Sequence, residues 1–236
     1  MRPSPAQSSL SEHDRLSIIL PVLNEATSIR ACLGSLSGLR EAGNEVIVVD
    51  GGSRDETLAL AAPLADRIIE ATGGRGPQMN RGAEAATGDI LLFLHADTLL
   101  PLHAERLIRS ALERHAWGRF DVRLSGQRRM FRVIEWFMNR RSRLSGIATG
   151  DQAIFIRRPA YTEINGFPEI PLMEDIAISK RLKRLSRPAC IRERLVTSSR
   201  RWEDGGIWAT IIKMWRLRLA YFMGVNPAEL ARRYRE

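Results

Sequence analysis

Gly88-Asp89-Ile90-Leu91-Leu92-Phe93-Leu94-His95-Ala96-Asp97-Thr98 places five apolar residues, Ile90 to Leu94, between a Gly-Asp turn signal and a polar end. A run that short, bounded in that way, reads as a strand buried on both faces. Such strands belong to parallel or mixed sheets covered by helices. Open α/β sheets take their ligands just beyond the carboxyl ends of their strands, and there this chain sets His95 and Asp97. A carboxylate with a nearby imidazole can ligate a divalent cation such as Mn²⁺ or Mg²⁺. The plainer alternative is that Asp97 caps a helix spanning residues 102–114.

The preceding residues repeat the pattern. Leu16 to Leu20 reads as a first strand, and Pro21, which has no N–H to donate, is expected to stop its ladder. Asn24 and Glu25 follow at its carboxyl end, and Thr27 or Ser28 can cap a helix carrying Ile29, Leu33 and Leu36. Glu45 to Asp50 is a second buried strand ending in a carboxylate, then Gly51-Gly52-Ser53. Glycines there let backbone approach a ligand and leave Asp50 free to accept hydrogen bonds from a base or ribose; a helix cap from Ser53 or Asp55 is compatible with that role. Residues 66–71 form a third, shorter strand. Arg75, in a glycine-rich loop, is either a partner for a diphosphate or a solvated loop residue. The helix over residues 77–86 presents Asn80 and carries Gly82, small enough for close packing. Three strand ends bearing Asn24/Glu25, Asp50 and Asp97, separated by helical patterns, describe a βαβ nucleotide-binding half-fold.

Composition narrows the classes. The 236 residues fit one large α/β domain or two small ones. No run of 18 apolar residues occurs, so no transmembrane helix is expected. Residues 1–14 read as a disordered lead-in without a signal peptide. Cys32 and Cys190 are far apart, which suits a reducing cytoplasm and offers no metal or disulfide framework. The net charge of +9 suits nucleic acid, anionic lipid or a polyanionic small substrate. No zinc-finger or RNA-recognition pattern is present. Neither G-x-G-x-x-G nor G-x-x-x-x-G-K-[ST] occurs, which disfavours a dinucleotide dehydrogenase and a P-loop ATPase.

The chain resembles the family 2 glycosyltransferases, inverting enzymes of the GT-A fold. The matching segments are residues 20–25 (Leu-Pro-Val-Leu-Asn-Glu), residues 48–55 (Val-Val-Asp-Gly-Gly-Ser-Arg-Asp), the helix start from Arg75 to Gly82, and Leu94-His95-Ala96-Asp97. The resemblance runs on to Gly150-Asp151-Gln152, Glu174-Asp175 and, more weakly, Arg200-Arg201-Trp202, spanning residues 16–202. It implies an α/β fold with a Rossmann-like, mixed and mostly parallel sheet flanked by helices. It implies donor contacts from Pro21, Asn24, Glu25, Asp50, Gly51, Ser53, Arg75, Asn80, Gly82, Ala96 and Asp97. Acceptor contacts would come from Gly150, Asp151, Gln152, Glu174, Arg200, Arg201 and Trp202, with Asp175 as general base. The metal, Mn²⁺ or Mg²⁺, would sit on Asp97. The family pattern usually has Asp-x-Asp where this chain has His95-Ala96-Asp97, so His95 is a candidate second ligand of unsettled role. This His variant resembles a small soluble bacterial subgroup linked to arsenosugar biosynthesis.

Residues 117–124 read as a strand, and residues 128–143 as a basic helix containing Phe131, Ile134, Trp136 and Phe137. Such a helix either lies on anionic membrane or is a core helix with an arginine rim. Acidic residues in a first helical turn are expected from the macrodipole alone, which is the plain account of Glu174 and Asp175. Beyond Trp202, Trp208, Ile211, Ile212, Trp215, Leu219 and Phe222 share one face of a helix that docks on the core, on a second subunit or on a membrane. The expected division is residues 15–204 as the catalytic domain (15–100 donor half, 101–204 acceptor half) and 205–236 as C-terminal helices. The function expected is metal-dependent transfer of a sugar from a nucleotide-diphosphate sugar to an acceptor hydroxyl, in the cytoplasm or peripherally on the inner membrane face. The alternatives are a nucleotidyltransferase of similar fold and a non-enzymatic basic module binding lipid or nucleic acid.

Overall fold

The computed structural model describes residues 14–235; all of the expected lead-in except Asp14 lies outside the described residues. Eight strands form one mixed sheet in the order β3-β2-β1-β4-β7-β6-β8-β5. Its first part, β1 (Leu16–Val22), β2 (Glu45–Asp50), β3 (Arg67–Glu70) and β4 (Ile90–Phe93), is parallel. Every residue of β1, β2 and β4 is buried. Fully burying each Ile, Leu or Val side chain contributes roughly 1.5–3 kcal/mol, so these three strands are the core that fixes the register. The sheet reverses beyond β4, where β7 (Ile154–Arg157) pairs antiparallel with β4 and with β6 (Trp117–Leu124). β8 (Ala189–Thr197) runs parallel to β6, and the two-residue β5 (Thr98–Leu99) closes the edge.

Pro21 does not end β1. The strand pairs with β2 as far as Val22, whereas its ladder with β4 ends at Ile19. The Val22 carbonyl accepts from Gly51 on the β2 side, and the Ile19 carbonyl accepts from Leu94 on the β4 side. Backbone polar groups alternate sides along a strand, so Pro21 lacks its N–H on the side where the ladder has already stopped.

Helices cover the sheet. Those that matter for the site are α1 (Ile29–Ser35), α2 (Ser37–Glu41), α3 (Thr57–Ala61), α4 (Arg75–Ala85), α5 (Ala104–Leu112), α6 (Arg129–Ser145), α7 (Arg158–Glu163), α8 (Glu174–Leu182), α9 (Arg200–Asp204), α10 (Ile207–Phe222) and α11 (Pro227–Arg235). A Cβ on Gly82 of α4 would collide with Ile19 Cγ2 and Val49 Cγ2, so α4 rests directly on β1 and β2. Asp97 is not a helix cap: the nearby α5 begins only at Ala104, preceded by His103 in the left-handed region (φ 60°). The C-terminal helices pack through Leu217, Ala220 and Leu230 against Ile147, Met173 and Ile176. No described helix is long and apolar enough to cross a membrane.

Candidate functional site

The loops after β1 and β2 are tied to one another by side chains. Asn24 N–H donates to Ser53 Oγ (2.9 Å), Arg54 N–H to Asn24 Oδ1 (2.8 Å), Glu25 N–H to Thr57 Oγ1 (2.7 Å) and Ala26 N–H to Asp55 (3.1 Å). Asn24 takes the left-handed conformation (φ 54°) that this clasp requires. Asp50 is buried and turned into its own loop, accepting the N–H groups of Gly52 and Ser53 (2.9 Å each) and the Ser53 hydroxyl (2.5 Å). The carboxylate read as a ligand contact also braces the turn that follows it. Gly51 sits under Gln78, whose amide donates to the carbonyls of Val22 (3.0 Å) and Val49 (2.8 Å). A Cβ on Gly51 would stand 3.0 Å from Gln78 Nε2, so glycine lets α4 bridge the ends of β1 and β2.

Asn80 has the same bracing character. Its amide donates to Phe167 O (2.9 Å) and accepts from Tyr161 Oη (2.6 Å) and Phe167 N (2.9 Å). Arg75, by contrast, is exposed at the start of α4 and makes no hydrogen bond or ion pair among the described residues. Its charge bears on His95, Asp97 and Glu174 alike, so the three face one cation.

His95 and Asp97 part company at the end of β4. Asp97 opens, with Thr27, Ser28, Cys32, Thr197 and Arg200, onto a cleft of about 290 Å³. Burial raises its carboxyl pKa, the nearby Glu25 carboxylate adds to the rise, and Arg75 and Arg200 oppose it. Arg200 reaches back to Thr27 Oγ1 (3.0 Å) and Glu25 Oε2 (3.3 Å), bracketing this cleft. Cys32, beside Asp97, is pushed up to about 12 by burial and is an inert thiol. His95 instead lines a void of about 10 Å³ with Pro21, Gly150, Glu174 and Asp175. Its surroundings hold the imidazole well below its usual pKa, first by burial and then by Arg75 and Arg201, so the ring is neutral. Ala96 between them is buried.

Among the described residues no three His, Cys, Asp or Glu side chains gather as a metal site. A divalent ion that keeps its waters and takes its remaining oxygens from a substrate diphosphate needs only one or two protein carboxylates. Asp97, an acceptor facing a cleft with Glu25 close enough to repel it, fits that kind of site; a closed all-protein cage does not fit.

Glu174 and Asp175 open α8 behind Met173, which is buried in the left-handed region (φ 70°). That conformation costs a non-glycine residue about 1–3 kcal/mol and is typically held at functional sites. Asp175 accepts from Gly150 N (3.2 Å) and Ile176 N (2.7 Å), so both oxygens are oriented. Burial raises its pKa, and Arg218 of α10 opposes the rise. Glu174 is pushed up to about 7, by burial and then by the Asp175 charge. Gly150 fits because a Cβ there would lie 2.5 Å from His95 Nε2. Gln152 is fully buried and accepts from Thr149 N (3.1 Å) and Oγ1 (3.3 Å), holding the turn Gly150–Gln152.

Two arginines that sequence reasoning passed over stand behind the pair. Arg141 of α6 is pulled down to about 10, by burial and by Arg218, while Asp151 and Asp175 oppose. Arg141 Nη2, Arg218 Nε and Asp151 Oδ1 are buried without a hydrogen-bond partner. Nothing local distinguishes these two from the other arginines; only the fold brings α6, α8 and α10 together. Gln78 was missed for the same reason. Arg201 is exposed, its guanidinium 5.8 Å from the Tyr234 ring, and Trp202 packs on Leu124, Phe131 and Ile134. Of the Arg200-Arg201-Trp202 segment, Arg200 alone reaches the cleft.

The model of "Glycosyl transferase family 2" matches residues 17–163, more than half of the chain. A PGL/p-HBAD biosynthesis glycosyltransferase of Mycobacterium bovis is 45% identical over 102 residues, which cover 40% of this chain and 40% of that protein. The match therefore spans well under two thirds of the relative's own length. Residues 1–349 of TarS from S. aureus superpose with a TM-score of 0.65 at 17% identity, covering 78% of this chain and 60% of that one. Glucosyl-3-phosphoglycerate synthase from Mycobacterium tuberculosis, solved with Mn²⁺, UDP and glucosyl-3-phosphoglycerate, superposes with a TM-score of 0.59 at 22% identity, covering 82% and 73%. At these identities the two structures establish the shared fold, which is the GT-A architecture expected from the sequence.

Proposed function

The chain belongs to glycosyl transferase family 2 and is a glycosyltransferase, and we propose that it transfers a sugar, with inversion and with a divalent metal, from a nucleoside-diphosphate sugar to an acceptor hydroxyl in the cytoplasm. The observation that carries this reading is the placement of two separate carboxylate groups, Asp97 on the open cleft and Asp175 on the anchored turn, with the charge of Arg75 acting on Asp97 and on Glu174 and that of Arg218 acting on Asp175.

The donor lies in the cleft lined by Thr27, Ser28, Asp97, Thr197 and Arg200, beside the braced loops of Asn24 and Ser53. Its diphosphate faces Asp97 and Arg75. Asp97 would hold Mn²⁺ or Mg²⁺ there, which would supply Lewis-acid stabilisation of the departing diphosphate charge. Arg75 adds fixed positive charge on the same side, and a preorganised cation costs no reorganisation as the leaving group develops. Asp175 removes the proton of the acceptor hydroxyl while its oxygen attacks the anomeric carbon. One base suffices for a single displacement, so no paired carboxylates of the hydrolase kind are required. Asp175 is assigned the task because the Gly150 and Ile176 N–H groups orient both its oxygens and Arg218 favours its ionised form. His95, neutral and packed on Gly150, supports the turn that holds Asp175.

The test is a panel of UDP- and GDP-sugars with Mn²⁺, reading the released phosphorus species. Nucleoside diphosphate that disappears on chelation is expected. Pyrophosphate would identify a nucleotidyltransferase, and no turnover across donors and acceptors would leave a binding module.

A further inference from the structure

The helix α10 carries two faces, and the larger apolar one is uncovered. Thr210, Leu217 and Ala220 are buried against the core. Trp208 (65% exposed), Ile212, Trp215 (72%), Leu219, Phe222 and Met223 face outward. The steps of alternating four and three residues from Trp208 to Phe222 line those five along one side of the helix. α6 adds a second outward group, Val133, Trp136 (55%) and Phe137 (58%), with Arg140 stacked 5.4 Å from the Trp136 ring. The two helices meet in one buried cluster, where Phe131 and Ile134 of α6 receive Ile207 and Ile211 of α10. Soluble surfaces rarely leave this many large apolar side chains together without a partner.

The charges on the same two helices select the partner. Arg129, Arg140 and Arg216 are exposed on them and Lys213 is half-buried, whereas Arg141 and Arg218 turn inward behind Asp175 and Arg143 pairs with Asp121; Glu135 is their one acidic residue. Glu135 is buried and paired with Arg132 at 3.0 Å, so it offsets nothing at the surface. A second copy of the chain would bring the same cations against these. An anionic lipid surface complements both features, because tryptophan settles at the headgroup level and each nearby Lys or Arg adds electrostatic attraction.

We propose that the outward face of α10, extended by Trp136 and Phe137 of α6, docks this protein on an anionic lipid bilayer. The inference stands independently of the reaction proposed above. Arg200 and α9 lead directly from the candidate cleft into α10.

The experiment is sedimentation of the full chain with vesicles of phosphatidylcholine alone and of phosphatidylcholine with phosphatidylglycerol, alongside the oligomeric state without vesicles. The expected result is a monomer that sediments with the anionic vesicles at low salt and is released roughly tenfold or more as salt rises. The double variant Trp208→Glu, Trp215→Glu should bind at least about tenfold more weakly with an unchanged melting temperature. Brominated lipid should quench the tryptophan emission of the unmodified chain, a readout that needs no variant. Failure to sediment, equal binding to both vesicle types, absence of quenching, or a dimer that the double variant dissociates would each overturn the proposal.

Discussion

Gly150→Ala places a methyl group where the structure has none to spare. The new Cβ would stand 2.5 Å from His95 Nε2 and 2.9 Å from Cε1, against an ordinary contact of 3.4 Å or more. Relief requires a shift of about 0.9 Å. The adjoining void of about 10 Å³ is too small to absorb the ring. The turn therefore moves, and its 3.2 Å hydrogen bond to Asp175 Oδ2 lengthens past bonding distance. Overpacking costs about 1–3 kcal/mol of stability. Misplacing a catalytic group by about 1 Å costs on the order of 10²-fold in rate. Urea unfolding would measure the first effect, and nucleoside diphosphate release from a turned-over donor the second, with donor affinity followed by calorimetry. Donor affinity should hold, since the cleft of Asp97 does not include Gly150. A variant with wild-type stability and a kcat within about twofold of wild type would refute the coupling of Gly150, His95 and Asp175.

Asp97→Asn should reduce Mn²⁺-dependent donor binding by at least about tenfold while the thermal melt stays within a few degrees of wild type; unchanged metal dependence in calorimetry would remove Asp97 from the metal site. The acid limb of the pH–rate profile should lie above that of an ordinary aspartate, because burial raises the Asp175 pKa and the ionised form is the active one. Removing the opposing cation in Arg218→Met should move that limb to still higher pH, and a limb that stays in place would detach Arg218 from the base. Glu174 has a folded pKa near 7, above its unfolded value, so the stability it contributes is present at low pH and lost as pH rises towards that value. Glu174→Gln should thus melt higher than wild type at pH 8 and gain little at pH 5; a gain equal at both would show that titration is not the cause.

Strands β1, β2 and β4 were legible because each is a short apolar run closed by turn residues, and their strand-end polar groups were placed correctly at the carboxyl edge. What those groups do was less legible. Asp50 and Asn80 carry the residue types of ligand contacts, and the fold also uses them to brace neighbouring backbone and hydroxyl groups. That use is visible only once Gly52, Ser53 and Phe167 are in position. Pro21 continued its strand because a missing N–H matters on one side of a strand and not on the other. Arg141 and Arg218 were hidden among many arginines, since their meeting with Asp151 and Asp175 depends on packing among α6, α8 and α10. The apolar stripe of α10 was readable in sequence, but periodicity cannot say which face of an amphipathic helix the core will take. The core took the narrow face of Leu217 and Ala220 and left the broad one outside.

The central claim is that Asp175 is the base of a displacement on a donor held elsewhere by Asp97. It is tested most directly by comparing Asp175→Asn with wild type on one donor, reading Mn²⁺-dependent donor affinity by calorimetry and nucleoside diphosphate release in the same samples. Removing a positioned base typically costs about 10²–10⁴-fold in turnover, so the account predicts that loss in kcat with donor affinity unchanged. Turnover close to wild type in Asp175→Asn, with the loss appearing in Glu174→Gln instead, would contradict it.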